Sequence, residues 1–151
     1  MRLALHQPDI AGNVGTLIRL GACLGVGVDL IEPMGFPFGD RSLARAGMDY
    51  RDAADVERHV DWSAFVAAAS GRIVLLTTRP GATPLPDALF RADDTLLLGS
   101  EGAGVPEQVH AQADLAVRIP MRPGMRSLNV AVAGAIAVAE ALRQTGGWPG
   151  E

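Results

Sequence analysis

The chain has 151 residues, of which 48% are hydrophobic and 20% are charged, a composition typical of one globular domain with a sizeable core. Its longest apolar run, residues 130–139, is about half of the ~20 residues that a membrane-spanning helix needs, and the N-terminal apolar run is too short for a signal peptide. The formal charge of −4 argues against the basic profile of a general nucleic-acid binder. We therefore expect a single soluble, cytoplasmic domain over residues 1–151 that does not enter a membrane.

The cysteine, histidine and arginine content limits the chemistry further. A single cysteine, Cys23, excludes an internal disulfide, and three scattered histidines give no spacing of metal ligands, so we expect no metal. All 13 basic residues are arginine, which favours planar, bidentate contacts with phosphate. Biased codon usage would give the same count.

Hydrophobic patterning predicts strands that alternate with helices along the chain. Strands are expected at residues 2–6, 26–33, 72–78 and 115–121, and a further strand that enters a glycine loop at 94–106. Helices are expected at residues 13–25, 40–47, 61–71, 106–113 and 122–142. Asn13 and Ser127 are expected to cap the first and last of these helices. Several strands are continuous apolar runs, which indicates an α/β domain whose parallel sheet is covered by helices on both faces.

Four loops rich in glycine and proline follow predicted strands, and in open parallel sheets ligands bind outside the carboxyl ends of strands. The loops read "QPDIAGNVG", "TTRPG", "GSEGAG" and "IPMRPGMRSLN". Glycine lets the backbone approach a ligand and proline fixes a loop, so these segments suit a flat, neutral base. They do not fit a conventional dinucleotide site, because the G-x-G-x-x-G spacing is missing, or a phosphate loop, because the chain has no lysine.

Three late segments together resemble the signature of the SPOUT RNA methyltransferases: "LLLGSEGAGVP", "VRIPM" and "MRSLNVAVAGAIAVAEALR". With "LHQPDIAGNVGTLIRLGACLGVGVDLIEPMGF" and "ARAGMDY" at the front, the resemblance covers about residues 2–148 and is strongest to the smallest branch. Members of that branch methylate the ribose 2′-hydroxyl of the tRNA wobble nucleotide, a cytidine or uridine.

The resemblance implies a Rossmann-like sheet with a C-terminal trefoil knot, S-adenosyl-L-methionine as cofactor, and the tRNA anticodon stem-loop as partner. It also implies a homodimer whose first and last helices pack across the interface. Small residues on these two helices would allow close packing either between or within chains, and the sequence leaves both arrangements open. They are Gly21, Ala22, Ala131, Gly134 and Ala135.

The resemblance also implies which residues hold the cofactor, mostly through their backbone. The matching positions are Leu76, Thr77, Gly99, Ile119, Met121, Ser127 and Leu128. Backbone amides and carbonyls can read the edge of adenine while apolar side chains enclose its ring.

The catalytic positions implied by the resemblance are Arg19, Glu101, Arg126 and Asn129. We expect Arg19 to orient phosphate and stabilise the developing alkoxide rather than to act as a base, because an arginine guanidinium stays protonated at neutral pH. The proton would leave to phosphate, Glu101 or water. Arg126 would contact phosphate or the cofactor carboxylate.

Several of these positions have an equally simple structural interpretation. Asn13 and Asn129 would bridge loops or position the ribose, or would only cap helices. Glu101 would be a site carboxylate or a helix cap. The remaining candidates for tRNA binding are arginines on one predicted helix and beside it, where a solvated helix face is the alternative. They are Arg41, Arg45 and Arg51.

Two departures from the branch bear on the substrate. The chain reads "GSEGAGVP" where the branch usually reads "GPETRGLP", so Ala103 replaces an arginine, and Ala139 stands where tyrosine is common. Three alternatives therefore stay open: the same chemistry on another tRNA position or on ribosomal RNA, a non-catalytic RNA-binding or nucleotide-binding dimer, and a small-molecule methyltransferase.

Overall fold

The computed structural model describes residues 1–37, 39, 50 and 53–150. The helix expected at residues 40–47 lies outside the described residues, as do the candidate tRNA contacts Arg41, Arg45 and Arg51.

Within the described part, seven strands alternate with four α-helices, as the sequence predicts for an α/β domain. The strands are β1 (Arg2–His6), β2 (Gly27–Ile31), β3 (Val56–His59), β4 (Ile73–Leu76), β5 (Thr83–Pro84), β6 (Thr95–Leu98) and β7 (Leu115–Arg118). The helices are α1 (Ala11–Leu24), α2 (Trp62–Ala68), α3 (Glu107–Ala111) and α4 (Val130–Thr145), with a short 3-10 turn at Leu85–Asp87.

The strands form one sheet in the order β3-β2-β1-β6-β4-β7-β5. Each neighbouring pair is parallel; Leu3 on β1, for example, lies opposite Val28 on β2 and Leu96 on β6. Because the strands run the same way, their carboxyl ends meet at one edge of the sheet. The loops rich in glycine and proline that follow β4, β6 and β7 are thereby brought side by side.

Helices cover both faces of the sheet, which confirms the expectation from the continuous apolar strands. On one face, α1 and α4 bury Leu17 and Val138 against Leu3 and Leu98. On the other face, Phe65 of α2 and Val109 of α3 pack on Ala4, Leu75 and Leu97. Successive side chains of a strand point to opposite faces of the sheet, so neighbouring residues of one strand are buried in different cores.

The helix starts differ from the sequence prediction. Helix α1 begins at Ala11 after Ile10, whose side chain makes no cap, so the prediction that Asn13 caps the helix was wrong. Helix α4 begins at Val130 and is capped by Asn129 rather than by Ser127. Residues 122–129 form a loop, since Pro123 and a positive φ of 87° at Gly124 are incompatible with helix.

Two strands were absent from the prediction. Strand β3 reads "VERH" and has two exposed residues at the edge of the sheet, so it lacks the apolar run that marks the central strands. Strand β5 has only two residues, one of them Pro84. Both are edge strands, where burial does not impose a hydrophobic pattern.

Two glycines let α1 and α4 approach their neighbours closely. A Cβ on Gly134 would lie 2.9 Å from the side chains of both Leu17 and Leu98, so α4 lies directly against α1 and β6. A Cβ on Gly21 would lie 2.5 Å from the carbonyl oxygen of Val26. These close approaches are within one chain, so Gly21 and Gly134 allow close packing inside the protein itself.

One group of charged and polar side chains on and beside β1, β2 and β3 forms a network around the buried Asp29. Asp29 accepts a hydrogen bond from Arg2 Nε at 2.7 Å, and its other oxygen lies 2.8 Å from Nε2 of His59. Arg2 also reaches Asp55. We call Arg2, Asp29, Asp55 and His59 the Asp29 cluster.

Among the described residues no helix is both long enough and apolar enough to cross a membrane.

Candidate active site

A cavity of about 660 Å³ opens at the carboxyl edge of the sheet, between the loops that follow β4, β6 and β7 and the start of α4. Its lining contains every residue that the resemblance assigned to the cofactor. They are Leu76, Thr77, Gly99, Ile119, Met121, Ser127 and Leu128. Four further candidates also line it, namely Asn13, Glu101, Arg126 and Asn129. Residues more than 100 positions apart in the chain are thus brought to one place.

The turn after β6 owes its shape to glycine. Ser100 and Gly104 form an antiparallel bridge, with the Ser100 amide donating to the Gly104 carbonyl at 3.0 Å and the Gly104 amide donating back at 2.9 Å. A Cβ on Gly99 would lie 2.5 Å from the carbonyl carbon of Gly104, and Gly104 itself has a φ of 68°. The backbone of this turn therefore stays at the surface of the cavity, free of a side chain at Gly99.

Glu101 is held by two hydrogen bonds from outside its own loop. Its Oε2 accepts from the backbone amide of Asp9 at 2.8 Å, and its Oε1 accepts from the side-chain amide of Asn13 at 2.9 Å. The Asp9 carboxylate in turn accepts from the amide of Gly102 at 3.4 Å. The loops after β1 and β6 are therefore tied together through this carboxylate, and Glu101 does not cap α3.

Asn129 joins this arrangement to the start of α4. Its Oδ1 accepts from the backbone amides of Ala131 at 2.9 Å and Val132 at 3.2 Å, which makes it the helix cap. Its Nδ2 donates to Oδ1 of Asn13 at 3.0 Å. Asn129 thus caps and bridges at once. We call the chain of hydrogen bonds Glu101–Asn13–Asn129 the site relay.

Arg126 and Ser127 stand in the loop before α4 with their side chains uncommitted. Both residues are exposed, and neither side chain makes a hydrogen bond or ion pair within the described part of the chain. A guanidinium and a hydroxyl at the wall of a cavity are then available to a ligand. A carboxylate or a phosphate is the natural partner of such a guanidinium.

Arg19 is not part of this cavity. It lies six residues after Asn13 on α1, is exposed, and stacks on Tyr50 with its guanidinium carbon 4.8 Å from the ring centroid. One of its nitrogens also donates to the Tyr50 hydroxyl at 3.4 Å. Within a single chain, Arg19 therefore faces away from the residues that the other predictions bring together.

Sequence reasoning missed several residues that line the cavity, including Ile10, Arg79, Leu98 and His110. Arg79 is paired with Glu107 at 2.7 Å, and this hydrogen bond and charge hold the pKa of the Glu107 carboxyl below its ordinary value. Nε2 of His110 is buried without a partner in the described residues. Arg79 lies in "TTRPG", one of the four loops that the sequence singles out, so position after a strand was a usable signal for it.

One group of potential metal ligands exists in the described residues, away from the cavity. The ligand atoms of Asp29, Glu57 and His59 lie within 4.8 Å of one another. Arg2 already occupies an oxygen of Asp29 at 2.7 Å and lies 3.5 Å from Glu57, so a positive charge is present where a cation would bind. We interpret this group as part of an ion-pair network.

The comparison with family models is decisive for the fold and the chemistry class. The model of the SpoU rRNA Methylase family matches residues 1–139. The chain belongs to this family. The family and fold class expected from the late glycine loops are thereby confirmed.

Relatives of high identity extend over the whole chain. One from Beijerinckia indica subsp. indica, named tRNA (cytidine(34)-2′-O)-methyltransferase, is 57% identical over 147 residues, which cover 95% of this chain and 91% of the relative. A relative of the same name from Ancylobacter novellus is 52% identical over 150 residues, covering 98% of this chain and 95% of the relative.

Solved structures give the same placement. One, described as structural insights into the 2-OH methylation of C/U34 on tRNA, matches with a TM-score of 0.90 and 41% identity over 95% of this chain and 94% of that chain. An AdoMet-bound rRNA methyltransferase from Sinorhizobium meliloti matches with a TM-score of 0.83 and 29% identity, covering 94% of this chain and 55% of the other.

Proposed function

We propose that this protein is an S-adenosyl-L-methionine-dependent methyltransferase that modifies the ribose 2′-hydroxyl of nucleotide 34 in tRNA, in the cytoplasm. The observation that carries the proposal is one cavity at the carboxyl ends of β4, β6 and β7. It gathers the apolar strand ends, the glycine turn and Arg126, which has no side-chain partner among the described residues. The tRNA nucleotide is supported by relatives of more than half identity that are named for position 34.

The residues of the cavity fit S-adenosyl-L-methionine. Its volume of about 660 Å³ lies within the ~300–1,000 Å³ of typical ligand pockets. Leu76, Ile119 and Met121 would enclose a flat base between apolar surfaces, and the bare backbone at Gly99 would offer hydrogen-bonding groups to its edge. Ser127 would hydrogen-bond the charged amino-acid end, and Arg126 would contact a phosphate of the RNA at the cavity wall.

When bound, this cofactor supplies an electrophilic methyl group on a sulfonium. The chain itself must then bring a 2′-hydroxyl in line and let its proton leave, since methyl transfer is a displacement that depends on positioning. Asn13 and Asn129 lie where they would orient the ribose, because each still has hydrogen-bonding capacity after making the site relay.

We assign Glu101 to positioning. Both of its carboxylate oxygens already accept hydrogen bonds, from Asp9 and Asn13, that tie the loops after β1 and β6 and the start of α1 into the wall of the cavity. The proton of the hydroxyl would then leave to phosphate or to water, which are the other two acceptors that the chemistry allows.

We also propose that the protein works as a homodimer, and that Arg19 serves the cavity of the second copy. Arg19 lies outside its own cavity, so a contact with the reacting ribose needs another chain. Exposed apolar side chains on α4 and before α1 support an interface there: Val132 is 48% exposed, Ile136 38% and Ile10 50%.

Mixed dimers test this arrangement. Arg19→Ala and Arg126→Ala should each inactivate a pure dimer, whereas random mixing of the two should restore about a quarter of the wild-type activity, because half of the dimers would contain one intact site. No recovery after mixing that sedimentation shows to be complete would mean that Arg19 acts within its own chain. Full activity of the pure Arg19→Ala dimer would mean that Arg19 has no role in the reaction.

A C-terminal trefoil knot belongs to the same proposal. Strand β7 lies between β4 and β5, yet the helix that follows it packs on α1 and β6, so the chain must return across the carboxyl ends of β4 and β6 through residues 119–129. A loop that passes there would form the floor of the cofactor cavity.

The test of the proposed reaction is incubation with S-adenosyl-L-methionine and either unmodified total tRNA or ribosomal RNA, followed by nucleoside mass spectrometry. We expect 2′-O-methylcytidine or 2′-O-methyluridine in tRNA alone. Methylation of ribosomal RNA would favour the other candidate that the family description and the Sinorhizobium meliloti structure support. Cofactor binding without methylation of either RNA would favour the non-catalytic alternative.

A further inference from the structure

A tight turn at the mouth of the cavity carries two arginines that have no side-chain partner in the described part of the chain. The carbonyl of Arg122 accepts from the amide of Met125 at 3.2 Å, and Pro123 and Gly124 lie between them, with φ of 87° at Gly124. Arg126 follows directly and lines the cavity, whereas Arg122 lies outside it. We call residues 122–126 the rim turn.

The absence of partners distinguishes these arginines from most of the others. Arg2, Arg58, Arg72, Arg79 and Arg143 each pair with a carboxylate. Within the described ranges, the guanidinium groups of Arg91, Arg122 and Arg126 make no hydrogen bond or ion pair. Two of these three groups flank one turn. In a chain with a formal charge of −4, the rim turn is therefore a local positive site.

The rim turn is also prepared to meet a ligand. Proline fixes one backbone angle and the turn hydrogen bond fixes the ends, so little backbone freedom remains to be lost on binding. Met125, which closes the turn, is 65% exposed, and Leu128, three residues later, is 39% exposed. A flexible thioether between two guanidinium groups can pack on a base while the charges reach phosphates on either side.

We propose that the rim turn is an RNA-binding element, in which Arg122 and Arg126 contact backbone phosphates beside the target nucleotide and Met125 packs against an unstacked base. This inference rests on the proposed function, because it names the RNA as the occupant of the cavity mouth. It adds Arg122 and Met125, which the sequence analysis did not single out, to the binding surface.

The experiment measures the affinity of the full-length protein for unmodified tRNA as a function of salt, with Arg122→Gln compared with Arg91→Gln. Arg91 is the matched control, because its guanidinium is also exposed and without a partner over residues 1–37 and 53–150, but it precedes β6 at the amino ends of the strands. We expect Arg122→Gln to weaken binding about tenfold and to lower the salt slope by about 0.9, as the loss of one phosphate contact should.

Met125→Ser separates the two kinds of contact. It should weaken tRNA binding while leaving the salt slope unchanged, because no charge is removed. Calorimetric titration with S-adenosyl-L-methionine should show the same affinity for wild type, Arg122→Gln and Met125→Ser.

Three results would overturn the inference. Equal salt slopes for Arg122→Gln and Arg91→Gln would show that Arg122 makes no phosphate contact. Loss of cofactor affinity in Arg122→Gln, or a changed oligomeric state in sedimentation, would mean that the turn serves the cavity or an interface between copies instead. If wild type itself neither binds nor methylates tRNA, the proposed function fails as well; if wild type does both, only the rim turn is refuted.

Discussion

The Asp29 cluster and the cavity differ in whether their charged groups have partners within the protein. In the cluster, buried Asp29 is neutralised by Arg2 and hydrogen-bonded to His59, so the groups satisfy one another. At the cavity, Arg126 and Ser127 have no partner in the described residues. Groups that satisfy each other stabilise the fold, whereas groups that are left unsatisfied are available to a ligand. Removing a charge should therefore affect stability in one region and activity in the other.

The largest stability effect is expected at the Asp29 cluster. Asp29→Ala should lower the free energy of unfolding by about 3 kcal/mol, because it leaves the Arg2 guanidinium and the buried His59 without their shared partner. Denaturant unfolding followed by circular dichroism measures the change. Glu57→Ala is the control: its exposed carboxylate lies 3.5 Å from Arg2, and its loss should cost less than about 1 kcal/mol. Equal losses in the two variants would contradict the comparison.

The opposite pattern is expected at Arg126. Arg126→Ala should reduce the rate of methylation about 100-fold, because it removes a positive charge from the cavity wall. The free energy of unfolding should change by less than about 0.5 kcal/mol, since the side chain is exposed and makes no hydrogen bond or ion pair with another described residue. Single-turnover methylation of tRNA and denaturant unfolding give the two values. Arg91→Ala should keep full activity. A similar rate loss in both variants would show that the effect of Arg126→Ala does not depend on the place of Arg126 in the cavity.

Asn129 both caps α4 and takes part in the site relay, so its replacement should lower stability and activity together. Asn129→Ala should cost about 1 kcal/mol of stability through loss of the cap, and should also slow methylation by breaking the site relay. Asn129→Asp keeps an oxygen for the cap but loses the amide that donates to Asn13. We therefore expect Asn129→Asp to be as stable as wild type and still slow. An Asp variant with wild-type activity would show that the link to Asn13 is dispensable.

The smallest effect concerns His6, at the end of β1. Burial lowers the pKa of this imidazole from its ordinary value of 6.5, and its Nδ1 has no hydrogen-bond partner in the described residues. The folded state therefore favours the neutral form. Its contribution to stability is complete above pH 6.5 and is lost as the pH falls through the lowered pKa, because the unfolded chain takes up the proton first.

Unfolding at pH 7.5 and pH 5.5 tests the contribution of His6. His6→Phe should lose less stability between the two pH values than wild type does. The same loss in both proteins would assign the acid sensitivity to other groups.

The central sheet could be predicted because buried parallel strands carry an unmistakable apolar run. Residues 2–6 and the strand within 94–106 were found in this way, whereas the edge strand Val56–His59 was missed because half of it faces solvent. The start of α4 was placed eight residues too early, since the apolar pattern does not reveal that Pro123 and Gly124 form a turn.

The cavity was predicted only in part. Its strand-end and loop residues could be named because loops after parallel strands converge and because they resemble a known signature. The site relay could not be found, as it depends on hydrogen bonds between residues 88 and 116 positions apart in the chain. The sequence also could not reveal that Arg19 lies outside its own cavity, because this depends on the face of α1 on which Arg19 stands.

The most direct test of the account is the location of the transferred methyl group. The protein is incubated with S-adenosyl-L-methionine carrying a deuterated methyl group and unmodified tRNA, and the RNA fragments are mapped by mass spectrometry. We predict the label on the ribose of nucleotide 34, and its loss in Arg126→Ala. Label on a base, at another nucleotide, or undiminished in Arg126→Ala would contradict the assignment of the cavity.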